Sequence, residues 1–202
     1  MANILESVKT GYKEFKEQFK MNMQFYKRLS SEGQNPFVMY IGCSDSRVIP
    51  EKILNLKEGD VFVIRNVANI VPPLGSKDTS VAAALEFAIQ TLNIEQIIIC
   101  GHTACAGITS LAEGVDTSKF SSVADWTNYA RPVLDEVPGD SEDRITRMIK
   151  KNVLLQKSNL LTYPFITERY EKGSLEIHPW LYDLDKGDIR TYSYSTGRWE
   201  PI

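Results

Sequence analysis

The chain of 202 residues contains few of the side chains that most often bind metals or act as nucleophiles. It has three cysteines and two histidines. An odd number of cysteines without framework spacing excludes the paired disulfides of a small secreted domain. It favours a reducing compartment, where thiols serve as metal ligands or nucleophiles. No apolar run approaches the length of a membrane span, and the charged N-terminus lacks the apolar core of a signal peptide. We therefore expect a cytoplasmic protein with no membrane partner.

An excess of charge of either sign is also absent. The formal net charge is -3, with 24% charged and 43% hydrophobic residues, which is ordinary for a soluble globular protein. Nothing in this balance attracts an acidic polymer, so we expect no nucleic acid partner. The length suits one well-cored domain, and we predict a single domain over residues 1–202.

Apolar patterning predicts strands that alternate with helices. The strands are predicted at 37–40, 61–65, 96–100, 174–182 and 189–195, and the helices at about 79–92, 106–113, 122–134, 141–159 and from 162. This order predicts an α/β fold with a mainly parallel central sheet flanked by helices. A turn at 185–188 joins the last two strands and predicts an antiparallel edge strand near the C-terminus.

The first 31 residues form a predicted N-terminal helical arm. Apolar residues recur there in steps of three and four, which describes one stripe of a long helix or of two successive helices: Leu5, Val8, Tyr12, Phe15, Phe19, Met23, Tyr26 and Leu29. So much aromatic surface ahead of the first strand needs a cover. The cover is either the protein's own sheet or a partner subunit.

Soft metal ligands follow two of the predicted strands. Cys43 lies just past the first strand, and His102 and Cys105 lie just past the third. Ligands bind beyond the carboxyl ends of parallel strands, so these side chains converge if the two strands are neighbours. His102 and Cys105 are three residues apart, which would place them on one side of a helical turn. A set of two thiolates and one imidazole selects zinc over magnesium or calcium.

Three protein ligands are the number that a catalytic zinc site uses, whereas a structural site is closed by four. Of the two remaining soft side chains, Cys100 is predicted to be core and His178 to be a structural histidine, because each lies within a strand. The fourth position is then taken either by water or by Asp45, which would be a metal ligand only in a closed state.

Asp45 and Arg47 follow Cys43 at two-residue steps, so in an extended chain all three point to the same side. The plain interpretation of the two charges is a solvated ion pair. The functional one is that Asp45 accepts a hydrogen bond from zinc-bound hydroxide, while Arg47 keeps Asp45 ionised and in place.

Two segments carry a resemblance to a known family. Cys-Ser-Asp-Ser-Arg at 43–47 and Gly-His-Thr-Ala-Cys at 101–105 resemble the signature of the β-class carbonic anhydrases. Further similarity lies at 63–69, 84–88, 152–156, 159–165 and 178–187, so that the resemblance extends from about 35 to 187. It departs from the family pattern at Ala106, where a glycine is usual, and at Pro179.

The resemblance implies reversible hydration of carbon dioxide to bicarbonate and a proton. It implies zinc on Cys43, His102 and Cys105, with Asp45 and Arg47 as the catalytic dyad, and a homodimer or higher homo-oligomer in which the N-terminal helices embrace the neighbour. Two alternatives stay open on the ligands alone. One is a hydrolase that acts on carbonyl sulfide or carbon disulfide, and the other is a non-catalytic zinc- or bicarbonate-binding protein.

Overall fold

The computed structural model describes residues 4–139 and 143–202. The chain divides into two compact units, residues 1–35 and 36–202. Within the described ranges, no helix is both long enough and apolar enough to cross a membrane.

The first unit consists of two successive helices, which was one of the two arrangements that the N-terminal stripe allowed. Helix α1 spans Ile4–Met21 and helix α2 spans Met23–Glu32. They break at Asn22, whose side-chain amide donates to the Gln18 carbonyl at 3.1 Å. Phe19 and Tyr26 stack across the break with ring centroids 4.4 Å apart. Five apolar residues on α1 are more than half exposed: Ile4, Leu5, Val8, Tyr12 and Met21.

The second unit is built on a six-stranded sheet in the order β2-β1-β3-β4-β5-β6. Its strands are β1 (Val38–Cys43), β2 (Val61–Asn66), β3 (Gln96–His102), β4 (Glu176–Tyr182), β5 (Ile189–Ser193) and β6 (Arg198–Pro201). The first four are mutually parallel, and β5 and β6 continue the sheet antiparallel. The mainly parallel sheet with an antiparallel edge is therefore confirmed, and β6 extends it beyond the prediction.

Helices cover the sheet. They are α3 (Pro50–Ile53), α4 (Ser80–Glu86), α5 (Ala106–Glu113), α6 (Ser121–Thr127), α7 (Pro132–Glu136), α8 (Arg144–Leu160) and α9 (Pro164–Glu171). The helix predicted over 122–134 is broken into α6, a short 3-10 turn and α7, because Pro132 cannot continue the hydrogen-bond ladder. The predicted start of α8 at Ser141 lies outside the described residues.

Strands β1 and β3 are buried on both faces. Met39, Ile41, Ile97 and Ile99 pack toward one side of the sheet, in the larger apolar cluster. The alternating residues Val38, Tyr40, Ile98 and Cys100 pack toward the other. β1 and β3 are direct neighbours, with Gly42 opposite Cys100. This register places the ends of both strands at the same edge of the sheet.

Candidate metal site

Three buried side chains meet at the carboxyl edge of the sheet. Cys43 is the last residue of β1, His102 is the last residue of β3, and Cys105 directly precedes α5. Their ligand atoms all lie within 4.8 Å of one another. The two sulfurs are 4.0 Å apart, and both thiols are free. The three side chains were expected to converge only if β1 and β3 were neighbours, and both conditions are met.

His102 and Cys105 reach the site through a tight turn, and the prediction of a shared helical turn is wrong. Ala104 has a left-handed backbone (φ 54°), and Cys105 is extended (φ -72°, ψ 111°), so the helix begins only at Ala106. β4 anchors the turn from the other side: the Thr103 N–H donates to the Tyr182 carbonyl at 3.0 Å, and the Leu184 N–H donates to the Thr103 hydroxyl at 2.9 Å.

The side chain of His102 is arranged as a metal ligand. Its Nδ1 lies 2.9 Å from the Thr103 carbonyl, which can only accept, so Nδ1 carries the proton. Nε2 of the neutral ring then holds a free lone pair. It is buried and has no hydrogen-bond partner among the described residues. Metal-bound histidines commonly donate their other ring N–H to such a carbonyl.

The sulfur spacing also fits a metal. Two sulfurs on one tetrahedral zinc at about 2.3 Å lie about 3.8 Å apart, close to the observed 4.0 Å. The donor set of two sulfurs and one imidazole nitrogen suits zinc. The residues present therefore fit a zinc ion in both chemistry and spacing.

An ionised pair stands beside the trio. The Arg47 guanidinium donates from Nε to Asp45 Oδ1 at 2.9 Å and from Nη2 to Asp45 Oδ2 at 2.7 Å. The Arg47 backbone N–H adds a third bond to Oδ1 at 3.0 Å. These bonds hold the pKa of Asp45 well below its usual range. Asp45 Oδ2 lies 3.8 Å from His102 Nε2, at the candidate ligand group.

The strand does not continue through this segment, although an extended chain was the basis for expecting Cys43, Asp45 and Arg47 on one side. β1 ends at Cys43, and a turn follows. The Asp45 carboxylate accepts from the backbone two residues on, which is the geometry of an Asx turn. The turn brings the two charges together beside the trio.

Arg65 belongs to this site, a role that the residue pattern did not predict. Its Nε donates to the Cys43 carbonyl at 3.0 Å, and its Nη2 donates to the Asp45 carbonyl at 2.7 Å. It is positioned by the register of β2, which sets Arg65 opposite Gly42. The available signal was a single cation at the end of the otherwise apolar run 61–64.

The two thiols of the group are not equivalent in the absence of a metal. The pKa of Cys43 is held well below its usual value, first by a hydrogen bond from the Cys105 thiol and further by the backbone N–H groups of Asp45 and Ala68. The pKa of Cys105 is raised, because its proton is bonded to Cys43 and because it is buried. Donors around a sulfur stabilise the thiolate form, which is the form that binds metals.

Comparison with known proteins identifies the family. A family model described as carbonic anhydrase matches residues 38–189. The chain is 38% identical over 189 residues to a carbonic anhydrase of Synechocystis sp., covering 90% of this chain and 69% of the relative. The solved β-carbonic anhydrase CcaA matches with a TM-score of 0.94 and 35% identity, covering 99% of this chain and all of that one. The chain belongs to the β-carbonic anhydrase family. Tetrameric β-carbonic anhydrases from Sordaria macrospora match with a TM-score of 0.81 and 29% identity, covering 93% of this chain and 95% of theirs.

In this β-carbonic anhydrase, the remaining soft side chains lie apart from the candidate metal group. Cys100 is buried within β3, and burial raises the pKa of its thiol to about 11. His178 Nε2 lies 2.6 Å from Gln96 Oε1 and is opposite Ile98, four residues before the ligand-bearing end of β3. Both occupy the structural positions predicted for them.

The carbonic anhydrase site also has an apolar cavity beside it. A cavity of about 410 Å³ is lined by Ser44, Asn66, Val67, Ser122, Val123 and Trp126. Ser44 directly follows Cys43, and its N–H donates to the Asn66 carbonyl at 2.9 Å. A small apolar molecule therefore has a space next to the end of β1.

Proposed function

We propose that this chain catalyses the reversible hydration of carbon dioxide to bicarbonate and a proton, with zinc on Cys43, His102 and Cys105. The observation that carries the proposal is the buried trio with its free His102 Nε2, set beside the Asp45–Arg47 pair. The family supports the reaction, and the donor set supports the metal.

A zinc ion held by three protein ligands would supply a Lewis acid that makes a bound water acidic near neutral pH. The chain's own part is to hold that ion at a defined point and in a buried environment. His102 is oriented by the Thr103 carbonyl, and Cys43 is fixed by β1. The sulfur of Cys105 lies at the start of α5, where the helix dipole stabilises negative charge.

Asp45 and Arg47 are proposed as the catalytic dyad. Both carboxylate oxygens of Asp45 accept hydrogen bonds from Arg47, which keeps the group ionised. An ionised carboxylate can only accept. A water that attacks carbon dioxide must therefore point a hydrogen toward Asp45, which turns its lone pair toward the carbon. This arrangement orients the nucleophile and does not require Asp45 to take its proton.

We further propose that Asp45 binds the metal only in a closed state, in which it would leave Arg47. The ion pair between the Asp45 carboxylate and the Arg47 guanidinium supports an open arrangement as the other state. The apolar cavity at Val67 and Trp126 is the proposed approach for carbon dioxide.

The cellular location, the assembly and the domain organisation are proposals of the same kind. Three free cysteines support a cytoplasmic location. The exposed apolar residues of α1 support a homodimer or larger homo-oligomer, as does the similarity to tetrameric relatives. The single domain over 1–202, with 1–31 as its arm, is retained for the assembled protein.

The test is stopped-flow hydration of carbon dioxide at pH 7 and pH 8.5, on protein whose metal content has been measured. We expect about one zinc per chain and rapid turnover, which a strong chelator removes and added zinc restores. Full zinc occupancy with no turnover at either pH would refute the hydration reaction. Turnover that persists after the metal has been removed would refute the role of zinc.

A further inference from the structure

The segment after β2 is a buried loop with a strained backbone. Residues 67–72 contain two consecutive left-handed residues, Ala68 (φ 62°) and Asn69 (φ 48°), neither of which is glycine. Ala68, Ile70 and Val71 are completely buried. A buried irregular loop must find partners for its peptide groups, because water cannot supply them. Something in the fold therefore has to hold this segment, which we call loop 67–72.

Three side-chain amides on one face of α8 supply those partners. Asn152, Gln156 and Asn159 recur at steps of four and three, so they face the same way. Asn152 Nδ2 donates to the Ala68 carbonyl at 2.9 Å, Gln156 Oε1 accepts from the Val71 N–H at 2.8 Å, and Asn159 Nδ2 donates to the Val71 carbonyl at 2.8 Å. We call these three residues the α8 amide chain.

The three amides also bond to each other, which makes them one unit. Gln156 Nε2 donates to Asn152 Oδ1 at 2.7 Å, and Asn159 Nδ2 donates to Gln156 Oε1 at 3.2 Å. Asn152 and Gln156 are completely buried. Buried polar networks are favourable when every member is satisfied, and costly when one member is removed. Loop 67–72 is thus held by a network that has little room to adjust.

Loop 67–72 lies in the same buried cluster as both cysteines of the metal group, since Ala68 and Ile70 pack there with Cys43 and Cys105. A hydrogen bond from the Ala68 backbone N–H contributes to the lowered pKa of the Cys43 thiol. On the other side, the loop packs against the start of α5: a Cβ built on Gly107 would lie 2.8 Å from Val67 Cγ1 and 3.0 Å from Ala68 Cβ. The backbone N–H of Gly107 in turn opposes the rise in the pKa of the Cys105 thiol. The position of Ala68 therefore affects the surroundings of both sulfurs.

From this geometry we infer that Asn152, Gln156 and Asn159 are positioning residues for the metal site. They fix loop 67–72 so that the Ala68 N–H donates to the Cys43 sulfur, and so limit how much negative charge that sulfur gives to the metal. The inference rests on the proposed metal site. Two thiolates would cancel the formal charge of Zn²⁺ and so weaken it as a Lewis acid. Hydrogen bonds to the sulfurs would withdraw some of that negative charge and so restore part of the Lewis acidity.

A purely structural network would behave differently. It would lower the stability of the protein when broken, and would leave the bond between sulfur and metal as it was. The two cases are separated by cobalt(II), which replaces zinc in sulfur sites and shows sulfur-to-metal charge-transfer absorption. A thiolate that loses a hydrogen bond releases its electrons more easily, so its charge-transfer band moves to longer wavelength.

The experiment compares Asn152→Ala with Leu160→Ala in the full chain. Both substitutions shorten a fully buried side chain of α8, but Leu160 donates no hydrogen bond to loop 67–72. Thermal unfolding shows how much each destabilises the fold. We expect a red-shifted charge-transfer band and about tenfold faster loss of cobalt to a chelator in Asn152→Ala only. Identical bands in Asn152→Ala, Leu160→Ala and the parent chain would overturn the inference.

A second measurement needs no variant, and so remains decisive if Asn152→Ala does not fold. With ¹¹³Cd bound to the parent protein, an amide proton that donates to a metal-bound sulfur is coupled to the cadmium nucleus in the NMR spectrum. We expect that coupling at the Ala68 amide, and its absence would overturn the inference. If the parent chain binds neither cobalt nor cadmium at Cys43, the proposed metal site itself is wrong.

Discussion

Asp45 has far less freedom than an ordinary surface aspartate. Its side chain is 14% exposed, and its two oxygens accept three hydrogen bonds from Arg47. Surface ion pairs generally contribute little to stability. A carboxylate fixed this firmly, with Oδ2 at 3.8 Å from the free nitrogen of His102, is better explained by a need for orientation.

We predict that Asp45→Asn keeps the metal and loses most of the activity. The amide can still occupy the site, but one of its two ends is a donor, so it no longer presents acceptors only. Turnover should fall by at least about 100-fold, the lower range for a well-placed polar group in catalysis. Stopped-flow rates and the zinc content of the same samples measure this. The exposed aspartate variant Asp116→Asn serves as a control and should leave the rate unchanged; full activity in Asp45→Asn would refute the dyad.

Arg65 gives a second prediction at this scale. Its guanidinium spans the carbonyls of Cys43 and Asp45, and a lysine ammonium is a point charge that cannot bond both in the same fork geometry. Arg65→Lys should therefore loosen the turn between the two residues. We expect activity to fall about tenfold, as for other groups that support metal ligands.

The measurement for Arg65→Lys is kcat together with zinc content, and Arg190→Lys on the exposed face of β5 is the control. A variant with parent-like kcat and zinc content would show that the clamp on the turn is dispensable. Loss of activity in both lysine variants would show that the effect is not specific to the site.

At the scale of elements, the sequence predicted what depends on local pattern. The strands β1 and β3 were predicted from unbroken apolar runs, which follow from burial on both faces. β6 was missed because residues 198–201 are short and mixed in polarity, and end in proline. Its pairing with β5 is decided by a tertiary contact. The break between α6 and α7 is different, because its signal is local: Pro132 was not weighed against the helical periodicity.

The residues of the candidate site fall into two groups, those that local pattern predicted and those whose roles depend on tertiary contacts. Cys43, His102 and Cys105 were predicted because strand ends collect ligands, a rule that needs only the strand positions. Arg65 and loop 67–72 were not, because their roles consist of hydrogen bonds to distant backbone carbonyls. Asn152 and Ala68 are 84 residues apart in the chain. No spacing rule in a single sequence reports such a pair.

The start of α5 offers a test of how closely the elements of the site pack. Gly107 is buried, and a methyl group there would lie 2.8 Å from Val67 Cγ1 and 3.0 Å from Ala68 Cβ. Gly107→Ala should therefore destabilise the protein by about 1–3 kcal/mol, in spite of the better helix propensity of alanine. Thermal unfolding measures the change.

The neighbouring residue provides the matched control for that substitution. Ala106 is exposed, so Ala106→Gly removes a methyl group from the surface and should cost less than about 1 kcal/mol. A Gly107→Ala protein as stable as the parent would mean that α5 and loop 67–72 can separate freely.

At the scale of the whole molecule, the feature that needs an explanation is the exposed apolar face of α1. Val8 is 64% exposed and Tyr12 is 61% exposed, and Leu5 lies on the same stripe. Contiguous apolar patches of this kind mark interaction surfaces in soluble proteins. Under the proposed homo-oligomeric assembly, a second copy of this chain would cover this stripe.

We predict that Val8→Lys combined with Tyr12→Lys lowers the oligomeric mass toward that of one chain, because two ammonium groups would have to be buried in the interface. Sedimentation velocity at several concentrations measures the mass. The control is Thr10→Lys combined with Glu14→Gln, which adds the same net charge to the opposite face of α1 and should leave the mass unchanged. If both double variants keep the parent mass, the stripe on α1 is not the surface that joins the subunits, and another exposed face of the chain must carry the assembly.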